Sequence, residues 1–258
     1  MKEKLTIVKV SGKIIESPEA LKVFIKSFTS LSGHRLVIHS GSDLASTVAD
    51  RINVRIKTFD SRPIVDSGTL DVLTMVYAGL VNKQLVALLQ GRKVNALGIT
   101  GADLNIITSV KQPLLGGTDM GSTGEVRQVN AQALSRLIDG GVTPVIAPLT
   151  HDGKGNLLFN ETDAMAAEVA KALAHRYNVT LIYCFKEKGV LLNVEDPDTV
   201  VPELKRTRYK AMREMDMIKD WFVNKLDNAF SAIDHGVSEV IITNATQLAK
   251  PNLGTHIR

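Results

Sequence analysis

The chain has 258 residues, 44% of them apolar and 22% charged, the balance of a folded globular protein long enough to bury a large core. Its formal charge of +4 and pI near 9.1 come from basic residues spread along the chain, so no nucleic-acid partner is expected. Cys184 is the sole cysteine, which excludes an intramolecular disulfide and points to the cytoplasm; with no signal pattern after Met1 and no uninterrupted apolar run of about eighteen residues, no membrane association is expected.

In chain order, Leu5 to Val10 reads as a buried strand that carries Lys9 and runs into Ser11-Gly12-Lys13. A helix begins at Ser17-Pro18-Glu19, where Ser17 can cap and Pro18 suits the first helical position. Leu36 to Ile38 is the next strand; His39-Ser40-Gly41-Ser42 follow, then a helix over about 44–51 with Ser42 or Asp43 as cap. Apolar strands that end in small residues let backbone N–H groups approach a ligand, and a helix after such a turn completes an anion site. A long helix is predicted over 68–90, with Leu70, Leu73, Val76, Leu80 and Leu85 along one face.

A strand at 96–100 follows, and 105–130, punctuated by Gly116-Gly117 and Gly121, reads as antiparallel hairpins. The alternation then resumes with a helix through Leu134 and Ile138, a strand at 144–147, a turn at Asp152-Gly153-Lys154-Gly155 and a helix from Asp163 to about His175. A strand over 179–184 ends in Lys186-Glu187-Lys188-Gly189, and a helix over 219–235 precedes a strand over 237–243. Short apolar strands alternating with helix-period stretches imply parallel βαβ units. The natural division is into lobes 1–177 and 178–258.

Several segments in this order resemble the amino acid kinase family, over nearly the whole chain. They are Lys9 in a first strand before a glycine turn, Asn95-Ala96-Leu97-Gly98-Ile99-Thr100-Gly101-Ala102-Asp103, Gly124-Glu125-Val126 with Val129-Asn130, and Val142-Thr143-Pro144-Val145-Ile146-Ala147-Pro148. Thr162-Asp163-Ala164 and the closing Gly254-Thr255-His256-Ile257 fit as well. Asn82-Lys83, the segment 150–156 and Tyr183-Cys184-Phe185 are similar to the branch in Bacteroidetes-type bacteria that phosphorylates N-acetyl- or N-succinyl-L-glutamate.

The resemblance implies an α/β fold, a three-layer αβα sandwich around a mainly parallel central sheet, as in carbamate kinase. It implies ATP with Mg²⁺, an N-acyl-L-glutamate acceptor in arginine biosynthesis, and a homodimer formed through the long helix. Lobe 1–177 would bind the acyl-amino acid and dimerise, and lobe 178–258 would bind ATP. Lys9 and Lys225 would neutralise the transferring phosphoryl from two sides, with Asp163 orienting them. Ser40, Gly41, Ser42, Arg62 and Asn160 would meet the acceptor, and Ser11, Gly12, Lys188 and Gly189 the nucleotide phosphates. No protein side chain would be a metal ligand; Mg²⁺ would be held by phosphate oxygens and water. The family's arginine-inhibited hexamers carry an extra N-terminal helix, so feedback by arginine is not expected here.

The chain departs from the family pattern in the loops. Ser11, Ser40 and Ser42 stand where glycines are usual, and Arg62 sits in Asp60-Ser61-Arg62-Pro63 without its glycine neighbour. Phe159-Asn160-Glu161 replaces an Asn-x-Asn pattern, and Asp220-Trp221-Phe222-Val223-Asn224 replaces a Gly-Gly-Met-Ile-Pro-like segment. Each lost glycine brings strain if its φ must be positive, and Glu161 adds negative charge. These departures leave room for a kinase with a changed acceptor, and for a catalytically weak relative that binds nucleotide or metabolite in a regulatory role.

Overall fold

A computed structural model of the chain describes residues 2–193, 196, 198–215, 217, 218, 220–250 and 252–258; the side chains of Ser42, Asp220 and Trp221 also lie outside the described residues. The strands are β1 Lys4–Val10, β2 His34–His39, β3 Lys57–Phe59, β4 Arg62–Ile64, β5 Ala96–Ile99, β6 Ile107–Lys111 and β7 Thr123–Val129, then β8 Thr143–Ile146, β9 Leu149–His151, β10 Leu157–Asn160, β11 Asn178–Phe185, β12 Glu203–Leu204, β13 Glu239–Asn244 and β14 Thr255–Ile257. The helices are α1 Gly12–Glu16, α2 Pro18–Thr29, α3 Ser42–Arg51, α4 Ser67–Leu73, α5 Asn82–Gln90, α6 Ala131–Asp139, α7 Thr162–Ala174, α8 Arg206–Glu214 and α9 Asp220–Asp234. Two compact units result, Met1–Leu36 with Ala166–Arg258, and Val37–Met165.

In the first unit β1, β11 and β13 run parallel in adjacent positions. β14 lies antiparallel to β13, and β12 pairs with β14. Ile7, Val8, Val10, Leu181, Tyr183 and Val240 are fully buried, as expected of parallel strands covered on both faces. α2 starts as its sequence demands: Ser17 Oγ accepts the Ala20 N–H at 3.3 Å, and Pro18 opens the helix.

In the second unit β2 and β5 flank β8, all parallel. The 105–130 stretch does form an antiparallel pair, β6 with β7, within a closed four-stranded barrel completed by β9 and β10. A buried polar cluster holds the barrel together. Asn160 Nδ2 donates to Ser109 Oγ at 3.0 Å and to Gly124 O at 2.9 Å, while Thr150 Oγ1 donates to Asn160 Oδ1 and lies within hydrogen-bond distance of Ser109 Oγ.

The long helix has its expected length, and Leu73, Val76 and Leu85 of its expected face are buried and Leu70 half-buried, with Leu80 the exception. Asp66 caps it, accepting the Thr69 N–H at 2.8 Å, and a π-helical segment over Thr74–Val81 joins α4 to α5. The wider turn shifts the buried series from Val72, Leu73, Val76 and Tyr77 to Val81, Asn82, Leu85 and Leu89. Leu80, expected inside at α-helical spacing, is therefore 42% exposed. By length and composition Ser67–Gln90 is long and apolar enough to cross a bilayer, although Asp71 and Lys83 interrupt it and 44% of its apolar window is buried within the protein.

Three further differences separate the observed elements from the expected ones. Gly41, not Ser42 or Asp43, is the N-cap residue of α3. α1, α8 and the β3–β4 hairpin were not expected, because elements this short give too few periods of hydrophobic pattern to recognise. Lys219, the expected start of the last helix, lies outside the described residues, and α9 is described from Asp220.

Candidate active site

In the first unit, Lys9 is 7% exposed near the C-terminal end of β1, in register with Tyr183 of β11. Register partners in a parallel pair share a face, and so do residues two apart on one strand, so Lys9, Tyr183 and Phe185 face the same side of the sheet. Phe185 meets Phe222 of α9 edge to face at 5.5 Å, and Lys225 Nζ lies 5.9 Å from the Phe185 ring centroid. Lys9 and Lys225 thus belong to one face and one end of the β1–β11 pair. The charge of Lys9 also lowers the Cys184 thiol slightly, but burial dominates and pushes it up to about 12, leaving an inert buried thiol.

Beyond Lys9, the Ser11 N–H donates to Cys184 O at 3.0 Å, and Ser11 Oγ is buried with no hydrogen-bond partner among the described residues. Gly12 is buried at the start of α1. Lys188 follows β11 and pairs with Asp198 at 2.7 Å, holding that carboxyl below its ordinary range. Gly189 leaves no room for a side chain, since a Cβ there would stand 2.6 Å from Thr255 Oγ1.

In the second unit, Ser40 and Gly41 connect β2 to α3, and Ser42 opens α3 with its side chain outside the described residues. Neither Ser11 nor Ser40 has a positive φ, so the replaced glycines bring no left-handed strain there. Space at Gly41 is tight: a Cβ would lie 3.2 Å from Val81 Cγ2 and 3.3 Å from Tyr77 Cε1, so those side chains would have to give by a few tenths of an ångström. Strain falls instead beside Arg62. The turn between β3 and β4 has Asp60 at φ 49° and Ser61 at φ 58°, the two left-handed positions of a tight hairpin where glycine is favoured. The Arg62 side chain is half-buried and makes no hydrogen bond or ion pair among the described residues.

Strand β10 alternates. Leu158 and Asn160 point into the barrel, and Asn160 commits both amide hydrogens there, while Leu157 and Phe159 lie on the outer side, half-buried. The Phe159 ring lies 6.0 Å from that of Tyr77, tilted against it. Glu161 acts locally, since its carboxylate accepts the backbone N–H groups of Asp163 at 3.2 Å and Ala164 at 2.8 Å and so caps α7. Asp163, 5% exposed, follows in the first turn of α7. Behind the β2 end, His39 is fully buried and its imidazole is pushed down to about 4, chiefly by that burial. Asn82 Nδ2 donates to His39 Nε2 at 3.2 Å and to Val145 O at 2.8 Å, while Lys83 Nζ donates to Asn82 Oδ1 and to Gly98 O. Asp220 and Trp221, the largest departures before Lys225, have side chains outside the described residues.

A model of the amino acid kinase family matches residues 4–244. The chain belongs to the amino acid kinase family. Among the relatives it is similar to, the acetylglutamate kinase of Bacteroides thetaiotaomicron is 47% identical over 258 residues, covering 100% of both chains. The acetylglutamate kinase of Methanopyrus kandleri is 31% identical, with 98% of this chain and 100% of that one covered. Of solved structures, N-acetylglutamate synthase from Neisseria gonorrhoeae, complexed with coenzyme A and N-acetyl-glutamate, matches with a TM-score of 0.82 at 21% identity over 98% of this chain and 59% of that one. Carbamate kinase from Giardia lamblia bound to AMP-PNP matches with a TM-score of 0.72 at 10% identity over 99% and 98%. At such identities the structural likeness establishes the fold, the α/β sandwich with a mainly parallel central sheet that the motifs implied.

For an amino acid kinase, sequence reasoning overlooked Tyr77, which meets both Gly41 and Phe159. Its place depends on the π-helical segment, and no residue type announces that turn here. The capping role of Glu161 was missed as well, because the usual cap signals are Ser, Thr, Asp and Asn, and Glu161 read only as added negative charge.

Proposed function

We propose that the chain catalyses ATP-dependent phosphorylation of the side-chain carboxylate of an N-acyl-L-glutamate, acetyl or succinyl, to an acyl phosphate in arginine biosynthesis, as a cytoplasmic homodimer. The observation that carries this reading is the pair of lysines on one face and one end of β1–β11, Lys9 buried and Lys225 over Phe185. The names of full-length relatives at 47% identity supply the acceptor.

In the reaction, a carboxylate oxygen of the acceptor bonds to the γ-phosphorus as the bond to the β-bridging oxygen breaks and ADP leaves. The nucleophile is already ionised, so no general base is required, and positioning with charge neutralisation provides most of the acceleration. Lys9 and Lys225 offset the charge on the transferring group, and Asp163 orients the lysines instead of taking a proton. Ser11 supports the phosphate reading, since its buried hydroxyl has no internal partner among the described residues. Gly12, Lys188 and Gly189 complete the phosphate contacts, with residues 178–258 carrying the nucleotide and residues 1–177 the acceptor and the dimer contact.

Arg62 holds an acceptor carboxylate, its planar fork matching two oxygens, and the absence of an internal partner among the described residues supports that role. Ser40, Gly41 and Ser42 approach the acceptor, while Asn160 acts as a positioning residue through β10. Mg²⁺, if bound with the nucleotide, would be held by phosphate oxygens and water, with no protein side chain as ligand, and would supply positive charge to the transferring phosphoryl.

The test is acyl-phosphate formation, trapped with hydroxylamine, from Mg-ATP and N-acetyl- or N-succinyl-L-glutamate. Turnover is expected, with Lys9→Ala and Lys225→Ala each slower by about a hundredfold or more, the size of one lost transition-state charge contact. Absence of turnover with both acceptors would sink the reading, and a normal rate for Lys225→Ala would remove that lysine from it.

A further inference from the structure

A cavity of about 310 Å³ lies within the second unit, between the π-helical segment, the end of β5 and the barrel strands β9 and β10. That is the small end of the range over which ligand pockets occur, about 300–1,000 Å³. None of its lining residues has a part in the acceptor or nucleotide contacts proposed above. Ala78 from the helix and Leu149 and Leu157 from the barrel give it apolar walls, and its polar groups include one charge of each sign, Lys83 and Asp103. Each charge is held by neutral groups. Lys83 Nζ donates to Asn82 Oδ1 at 3.1 Å and to Gly98 O at 2.9 Å, and a Cβ on Gly98 would come 2.8 Å from that ammonium, so the approach needs glycine. Asp103 Oδ2 accepts the Thr100 N–H at 2.6 Å and the Thr100 hydroxyl at 2.9 Å. Lys83 and Asp103 make no ion pair with each other or with any other described residue. One ammonium hydrogen and one carboxylate oxygen are therefore left without a partner among the described residues.

We infer that this cavity binds a small α-amino acid with an aliphatic side chain, its carboxylate on Lys83, its ammonium group on Asp103 and its side chain against Ala78, Leu149 and Leu157. The inference goes beyond the kinase reading and uses none of the residues on which that reading rests. Charge selects the class of ligand. A simple carboxylate on Lys83 would share the cavity with the Asp103 carboxylate, and a simple amine on Asp103 would share it with the Lys83 ammonium. Like charges in one partly enclosed site repel, whereas a zwitterion matches both. The walls select within the class, since a charged side chain set against three apolar ones loses its hydration without a partner. Lys83 and Asp103 are already fixed by hydrogen bonds before a ligand arrives, which lowers the ordering cost of binding. N-acylation removes the ammonium charge, so the cavity accepts a free amino acid and refuses an N-acyl one.

The test follows backbone-amide NMR shifts of the full chain, without nucleotide, during titration with L-leucine, with isocaproate, which lacks the ammonium group, and with isopentylamine, which lacks the carboxylate. L-Leucine is expected to shift Asn82, Lys83, Gly98 and Asp103 and to bind about tenfold or more tighter than either analogue, the size of one charge-assisted hydrogen bond. Asp103→Asn, which keeps an acceptor for Thr100, should bring leucine down to the level of isocaproate. Ala78→Phe, which fills the cavity and keeps both charges, should abolish the shifts. No shift with leucine at millimolar concentration, or shifts confined to other residues, overturns the site. Isocaproate bound as tightly as leucine by the unmodified chain overturns the amino-acid class, and leucine shifts that persist unchanged in Ala78→Phe overturn the placement in the cavity. No arm depends on turnover, so each of these failures is distinct from a failure of the kinase reading.

Discussion

Ser11 shows how one residue can be uncomfortable in the folded chain and useful to it. Its backbone is extended, so replacing a glycine costs no left-handed strain, yet its buried hydroxyl has no hydrogen-bond partner among the described residues. Leaving such a group unmatched costs about 1–3 kcal/mol. Ser11→Ala should therefore raise the thermal midpoint of the ligand-free protein, and should raise the KM for ATP if the hydroxyl meets phosphate. A raised midpoint with an unchanged KM would make the serine a packing residue. His39 gives the residue scale its pH dependence. In the unfolded chain the imidazole takes a proton near 6.5, while in the folded chain it stays neutral until about 4. Its contribution is complete above pH 6.5 and is lost as pH falls toward 4, about 2 kcal/mol between pH 7.5 and 5. Unfolding free energies from urea titration at those two pH values should differ by that amount more in the natural chain than in His39→Gln; equal differences would show that His39 titrates normally.

At the scale of elements, the β3–β4 hairpin and the long helix each carry a local irregularity with a consequence for the site. Asp60 and Ser61 both hold left-handed backbone in the turn that precedes Arg62. That region costs a residue with a Cβ roughly 1–2 kcal/mol, partly offset for Asp by local hydrogen bonding. Ser61→Gly should stabilise the protein by about 1 kcal/mol in denaturant titration; a loss of stability would mean that Ser61 is held by contacts the glycine cannot make. In the helix, the π-helical segment turns Asn82 inward, where it ties His39 of β2 to Val145 of β8, and leaves Lys83 to bond Gly98 of β5. Three adjacent strands are fastened from one helix end in this way. Gly98 is part of the device, because a Cβ there would run into the Asn82 amide and come 2.9 Å from Val86 Cγ2.

For the whole molecule, the turn that buries Asn82 also decides what the protein shows to a second copy. Met75, Leu80 and Leu88 are 52%, 42% and 43% exposed on the long helix, the element proposed as the dimer centre. Sedimentation should give a dimer for the natural chain and a monomer for Leu80→Glu with Leu88→Glu; a natural chain that sediments as a monomer at micromolar concentration would remove the homodimer from the proposal. Much of the architecture was legible in the residues themselves. Alternating strands and helices announced the parallel sheets, Ser17-Pro18 the start of α2, Gly116 to Gly121 an antiparallel pair, and Lys9 with the 95–103 and 142–148 motifs the family. These signals are local or periodic, and each is written within a few consecutive residues. What the tertiary structure alone decided is where side chains direct their bonds. Asn160 turns into a closed barrel and Phe159 out of it, Glu161 is occupied by its own helix, and the strain of lost glycines settles at Ser61 and spares Ser11 and Ser40. The physical reason is common to all of them: strand phase, helix pitch and hydrogen-bond pairing are settled by partners far along the chain, which no short window of residues contains.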